Sequence, residues 1–146
     1  MTPSSHLLRS GCALLLGASL ASCSSSDDEP DTTTYRNAGT LCLRPDGDGQ
    51  TRITVGFGNC LSCNEVVTTS CSATVAGDQI TVQSILDVER RDRPEVCPAI
   101  CAFATATCPV MVASPGEYRI EHGADSAAIT LPLTSAVAPY GGTACD

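Results

Sequence analysis

The chain has 146 residues, with 8 Lys+Arg against 16 Asp+Glu and a net charge of −8, and every basic residue is Arg. Its aromatic side chains are Tyr35, Phe57, Phe103, Tyr118 and Tyr140, and it has no Trp. An acidic chain so poor in rings lacks the basic footprint and stacking platforms of nucleic-acid binders, which excludes that class, and it offers little for stacking against sugars.

Residues 1–22 read as a signal peptide: the first ten carry Arg9 and no acid, and the apolar run CALLLGASL follows from Cys12 to Leu20. That run is about half the ~20 residues a membrane-spanning helix needs, so it reads as the apolar region of an export signal. It ends in Leu20-Ala21-Ser22-Cys23, which resembles a bacterial lipobox. The resemblance implies cleavage before Cys23, diacylglyceryl on its sulfur and acylation of its freed amine. Two or three acyl chains, at about 0.8 kcal/mol per buried methylene, give a permanent anchor. The residue after the lipidated cysteine is Ser24, not Asp, and the resemblance then implies the outer membrane in a cell with two membranes. The expected localisation is the bacterial cell envelope, on the periplasmic or surface face of that membrane.

Residues 23–38 follow as the lipidated N-terminus and a disordered linker. Residues 24–34 (SSSDDEPDTTT) contain no aliphatic side chain and carry Asp27, Asp28, Glu29 and Asp31. Such a stretch cannot bury enough surface to offset its ordering entropy, and an acidic spacer is repelled by anionic head groups.

Residues 39–146 form one domain, since no second linker interrupts them. Asp46-Gly47-Asp48-Gly49 resembles the start of a calcium loop. The likeness stops at Gln50, Thr51 and Phe57, where the fifth ligand, the turn glycine and the closing Glu belong. A tight turn into a strand fits better. Residues 51–57 (TRITVGF) alternate, as do 72–75 and 79–82, joined through Ala76-Gly77-Asp78 as a hairpin requires. Residues 86–93 (LDVERRDR) are compatible with a short helix or with a strand running into a charged loop. Glu89-Arg90-Arg91-Asp92-Arg93-Pro94-Glu95 mixes signs as a solvated loop does, and its arginines are also plausible partner contacts.

Further along, residues 117–121 and 128–133 read as a second strand pair around His122-Gly123-Ala124-Asp125-Ser126. Tyr118 and Ile120 share one face, and Pro132 ends the last strand or puts it at an edge. Ser114-Pro115-Gly116-Glu117-Tyr118-Arg119-Ile120 resembles the turn and strand near the end of immunoglobulin-like or transthyretin-like bacterial modules. The spacing of short strands agrees with an all-β fold, a small disulfide-stapled β-sandwich or barrel.

Ten cysteines are present. Cys12 leaves with the signal and Cys23 carries lipid, which leaves an even set: Cys42, Cys60, Cys63, Cys71, Cys97, Cys101, Cys108 and Cys145. In an oxidising compartment these form disulfides of about 2 to 4 kcal/mol each, with pairings open at this level. Cys60-Leu61-Ser62-Cys63 also fits a redox pair, or half of a zinc site completed by Cys97 and Cys101, but its Gly-rich, β-prone flanks do not supply the helix N-terminus a reactive thiol needs.

His122 is the one imidazole left after processing. A catalytic triad would have to combine it with Ser126 and Asp125, and no G-x-S-x-G elbow exists; an exposed turn histidine is the simpler expectation. No metal or cofactor is expected. The favoured function is non-enzymatic: a membrane-anchored lipoprotein whose β domain binds an envelope or surface protein, or contributes to envelope structure. A protease-inhibitory loop at residues 96–102 belongs to the same class. The alternative is an exported hydrolase or thiol-redox enzyme using His122 or Cys60 and Cys63.

Overall fold

A computed structural model describes residues 31–91, 101–141 and Cys145. The export signal, the lipobox, residues 23–30, Asp92 to Glu95 and Cys97 lie outside the described residues. Eight strands are described: β1 (Asp31–Arg36), β2 (Thr40–Asp46), β3 (Gln50–Gly56), β4 (Glu65–Ala76), β5 (Gln79–Arg90), β6 (Thr105–Val110), β7 (Gly116–His122) and β8 (Asp125–Leu131). The described chain is all-β and folds as a small disulfide-stapled sandwich of two sheets.

The larger sheet is organised by β5. One of its edges pairs along its whole length with β4, from Glu65↔Arg90 to Ala76↔Gln79. The other edge is shared end to end. Its first residues pair in parallel with β7 (Gln79↔Arg119 to Val82↔His122), and its last six pair antiparallel with β1. β8 lies beyond β7. The smaller sheet is β2-β3-β6, antiparallel throughout.

Strict alternation explains which faces meet, because successive strand side chains point to opposite sides. Ile80, Val82, Ser84, Leu86 and Val88 of β5 are buried, as are Thr51, Ile53 and Val55 of β3 and Ala106, Cys108 and Val110 of β6. The stretch left open between helix and strand is therefore β5 as far as Arg90, and the hairpin strands β4 and β5 extend well beyond the short runs legible in sequence. Pro109 is tolerated in β6 because that strand is an edge of its sheet.

Part of the stretch expected as a disordered linker, residues 23–38, is ordered. Asp31–Arg36 is a strand in six-residue register with β5, and Thr34 Oγ1 donates to Asp87 Oδ1 at 2.6 Å. All six residues are exposed. β-branched threonines suit an extended backbone, and the ladder holds this strand without apolar burial. The ordered domain thus begins no later than Asp31.

One side of the sandwich is closed by the Cys71–Cys108 bridge and by Thr69 Oγ1 donating to the Thr105 carbonyl at 2.9 Å. The other is closed by the segment after β8, where Leu43 and Val137 exchange backbone hydrogen bonds of 2.9 and 2.8 Å. Tyr118 ties β7 to the preceding turn through a 2.6 Å bond from its hydroxyl to the Ser114 carbonyl.

Candidate functional site

His122 is not an exposed turn residue. β7 alternates Tyr118, Ile120, His122 into the interior, and the imidazole is only 2% exposed. It sits where β1 and β7 meet along the edge of β5, at Ser84, which pairs with neither strand. The chain leaving β1 fills this gap: Asn37 N–H donates to the Ser84 carbonyl at 2.8 Å, and Ser84 N–H donates to Asn37 Oδ1 at 3.1 Å. Ser84 Oγ lies 3.3 Å from the Ala38 carbonyl and 2.8 Å from His122 Nε2. A hydroxyl has one proton. With that proton given to Ala38, Nε2–H donates to Ser84 Oγ.

Sequence spacing suggested Ser126 and Asp125 as the partners of His122. Asp125 is its register partner across the hairpin, but Ser126 points to the opposite face, where its Oγ accepts from Arg119 Nη2 at 2.9 Å. Those three side chains therefore do not assemble as a triad. The Ser84–His122 pair is sealed, with Ser84 1% exposed, and it ties the crossover between sheets to β5 and β7. The Tyr118, Ile120, His122 spacing was the signal for an inward histidine; the presence of a glycine at the hairpin end obscured it.

Burial lowers the His122 pKa, and the nearby Asp125 carboxylate only partly opposes this. A neutral buried imidazole stabilises the fold fully above the unfolded value of about 6.5, and that contribution is lost as pH falls from there through the lowered folded value. The urea midpoint is therefore expected to drop between pH 7 and pH 5, and His122→Gln, which keeps a donor toward Ser84, should flatten the drop. Parallel pH profiles for the two proteins would contradict this assignment. Tyr140 closes the same region, donating to the Ile120 carbonyl at 3.4 Å. Burial, then Asp125 and Glu121, push its hydroxyl up to about 12.

The cysteines are spent on bridges: Cys42–Cys145, Cys60–Cys101 and Cys71–Cys108, with Cα separations of 5.0, 4.8 and 5.3 Å. Cys63 is disulfide-bonded too, to a cysteine outside the described residues. Cys60 and Cys63 are hence not a redox pair with each other, and Cys60 and Cys101 hold no thiolate for zinc. The expected oxidised set is seen at every described position, and Cys97 lies outside them.

The acidic turn at Asp46 to Gly49 is a hairpin turn closed by Gln50 N–H to the Gly47 carbonyl at 3.0 Å, and Asp46 pairs with Arg52 at 2.8 Å. Glu89 and Arg90 of the mixed-charge cluster belong to β5, where Arg90 meets Glu65 at 3.3 Å and Arg91 meets Glu89 at 2.9 Å. The Ser62 N–H, 2.8 Å from the Glu65 carboxyl, holds that group below its usual range against the effect of burial, with help from the Ser62 hydroxyl and Arg90.

Two clefts that no sequence motif marks meet at β8, the last strand of the larger sheet. One, of ≈ 550 Å³, lies on the outer face among Asp78, Glu117, Arg119, Ser126 and Ala128. The other, of ≈ 370 Å³, lies between Ala128 to Thr130 and the segment containing Pro132, Leu133 and Val137. Their chemistry differs: Asp78, Glu117 and Arg119 bring charge to the first, and mainly aliphatic groups line the second. Ala128 lines both clefts. The fold defines the class, a disulfide-stapled β-sandwich. No family model, curated protein or solved structure matches the chain.

Proposed function

We propose that this is a lipid-anchored envelope protein whose β-sandwich binds a partner and does no chemistry of its own. The observation that carries the binding role is the fate of the reactive side chains. His122 is buried against Ser84, and Cys60 is bonded to Cys101. These are the groups a hydrolase or thiol-redox enzyme would need. Export is supported by the disulfides, which persist in oxidising compartments, and the anchor by the lipobox resemblance at Leu20-Ala21-Ser22-Cys23. The tether would then join the domain at Asp31, beside Glu65 and Arg90, leaving the turns at Gly47 to Gly49 and at Gly77-Asp78 pointing away from the membrane.

Expressed in a bacterium with two membranes, the wild-type chain should fractionate with membranes and incorporate labelled palmitate. Cys23→Ala should leave it unprocessed or soluble, with no label. Membrane partitioning of Cys23→Ala at the processed size would overturn the anchoring half of the proposal.

A further inference from the structure

We infer that the free edge of β8 is a docking site for an extended, basic segment of a partner protein, added as a further strand. This deepens the binding role proposed above and rests on it. Among the described residues β8 pairs with β7 alone. Natural sheet edges are commonly protected by Lys, Pro, a bulge or a covering segment. β8 (DSAAITL) carries one charge, Asp125 at its start, and its proline, Pro132, comes only after its end.

An added strand exchanges backbone hydrogen bonds with such an edge and sends alternate side chains to opposite faces, so pockets on the two faces read its sequence. Two clefts adjoin β8, and Ala128 lines both. On the outer face its side chains are Ser126, Ala128 and Thr130, all exposed and small. They raise no wall between the edge and the carboxylates of Asp78 and Glu117. Neither carboxylate has an ion-pair partner among the described residues, whereas Arg119 is engaged by Glu121 at 3.0 Å and by Ser126. The outer cleft is therefore built for a Lys or Arg side chain. Its neighbour in the docked strand would place an apolar side chain against Ile129, Pro132, Leu133 and Val137. Charge selects among occupants. The chain's own residues 24–31 are acidic, and a second copy also brings net negative charge, so both meet repulsion where a basic segment meets attraction.

The test uses the disulfide-intact protein from whichever cell fraction holds it, so a failed anchor does not disturb it. The probes are a fluorescent peptide alternating Val with Lys and one alternating Val with Glu. The Val-Lys peptide should bind and slow hydrogen exchange at β8 amides, while the Val-Glu peptide should not. Asp78→Lys combined with Glu117→Lys should weaken Val-Lys binding about tenfold and confer binding of Val-Glu, a gain that a misfolded variant cannot produce. The docking site is overturned by absent Val-Lys binding, by indifference to the charge reversal, by exchange protection outside β8, or by a dimer that already occupies this edge.

Discussion

Removing the Cys42–Cys145 bridge by the double substitution Cys42→Ala, Cys145→Ala is expected to cost about 4 kcal/mol of stability. The two cysteines are 103 residues apart. Closing a loop of that length removes about 4.7 kcal/mol of chain entropy from the unfolded state; the intervening bridges at 41 and 37 residues already shorten the free loop and bring the figure down. Alanine is chosen because Cys42 is 2% exposed and a serine there would bury a hydroxyl. Against a typical total of about 5 to 15 kcal/mol, such a loss leaves the domain near its folding threshold. Urea unfolding of the variant with its other bridges oxidised checks this, and a loss below about 1 kcal/mol would show that the C-terminal staple is dispensable.

Gly39→Ala should be the most damaging of the glycine substitutions, costing roughly 3 kcal/mol or more. At φ +98 the backbone is one that side chains with a Cβ rarely adopt, and strain of that kind costs about 1 to 3 kcal/mol by itself. The added Cβ would also fall 2.6 Å from the Gly56 carbonyl oxygen. That atom is backbone in β3, held opposite Thr40 in the ladder, so relief requires moving the strand. Gly39 is the last residue of the crossover that carries the chain past Ser84 from one sheet to the other, which couples the damage to the His122 cluster. Gly47→Ala is the control. Its φ is +23 with nothing within 4 Å of the new Cβ, and about 1 kcal/mol or less is expected. Equal melting shifts for the two variants would contradict this reading of the crossover.

Much of the sandwich was legible because it obeys a two-residue period. TRITVGF became β3, the Ala76-Gly77-Asp78 connection became the β4–β5 hairpin, and Pro132 marked the end of β8. β1 was not legible, since threonines that bury nothing look like a solvated linker and only the exposed edge of β5 makes them a strand. His122 was misplaced for a related reason. A glycine after a histidine signals a turn, yet the parity set by Tyr118 and Ile120 decides that the ring points inward. That the chain is disulfide-bonded was legible from its many cysteines; the described pairings were not, because each bridge joins segments at least 37 residues apart that only the tertiary fold brings together. The clefts beside β8 were least accessible of all. They depend on which strand is left at the edge, and no local pattern carries that information.

Export and anchoring, as proposed, divide the cysteines into one lipid attachment site and a closed disulfide set. Mass spectrometry of the membrane-purified protein under non-reducing digestion tests this division in one measurement. The expected products are an N-terminal peptide that starts at Cys23 and carries the diacylglyceryl and acyl masses, no free thiol, and Cys63 linked to Cys97, the cysteine left once Cys12 is removed and Cys23 is lipidated. An unlipidated Cys23, or Cys23 found in a disulfide with Cys63, would contradict it.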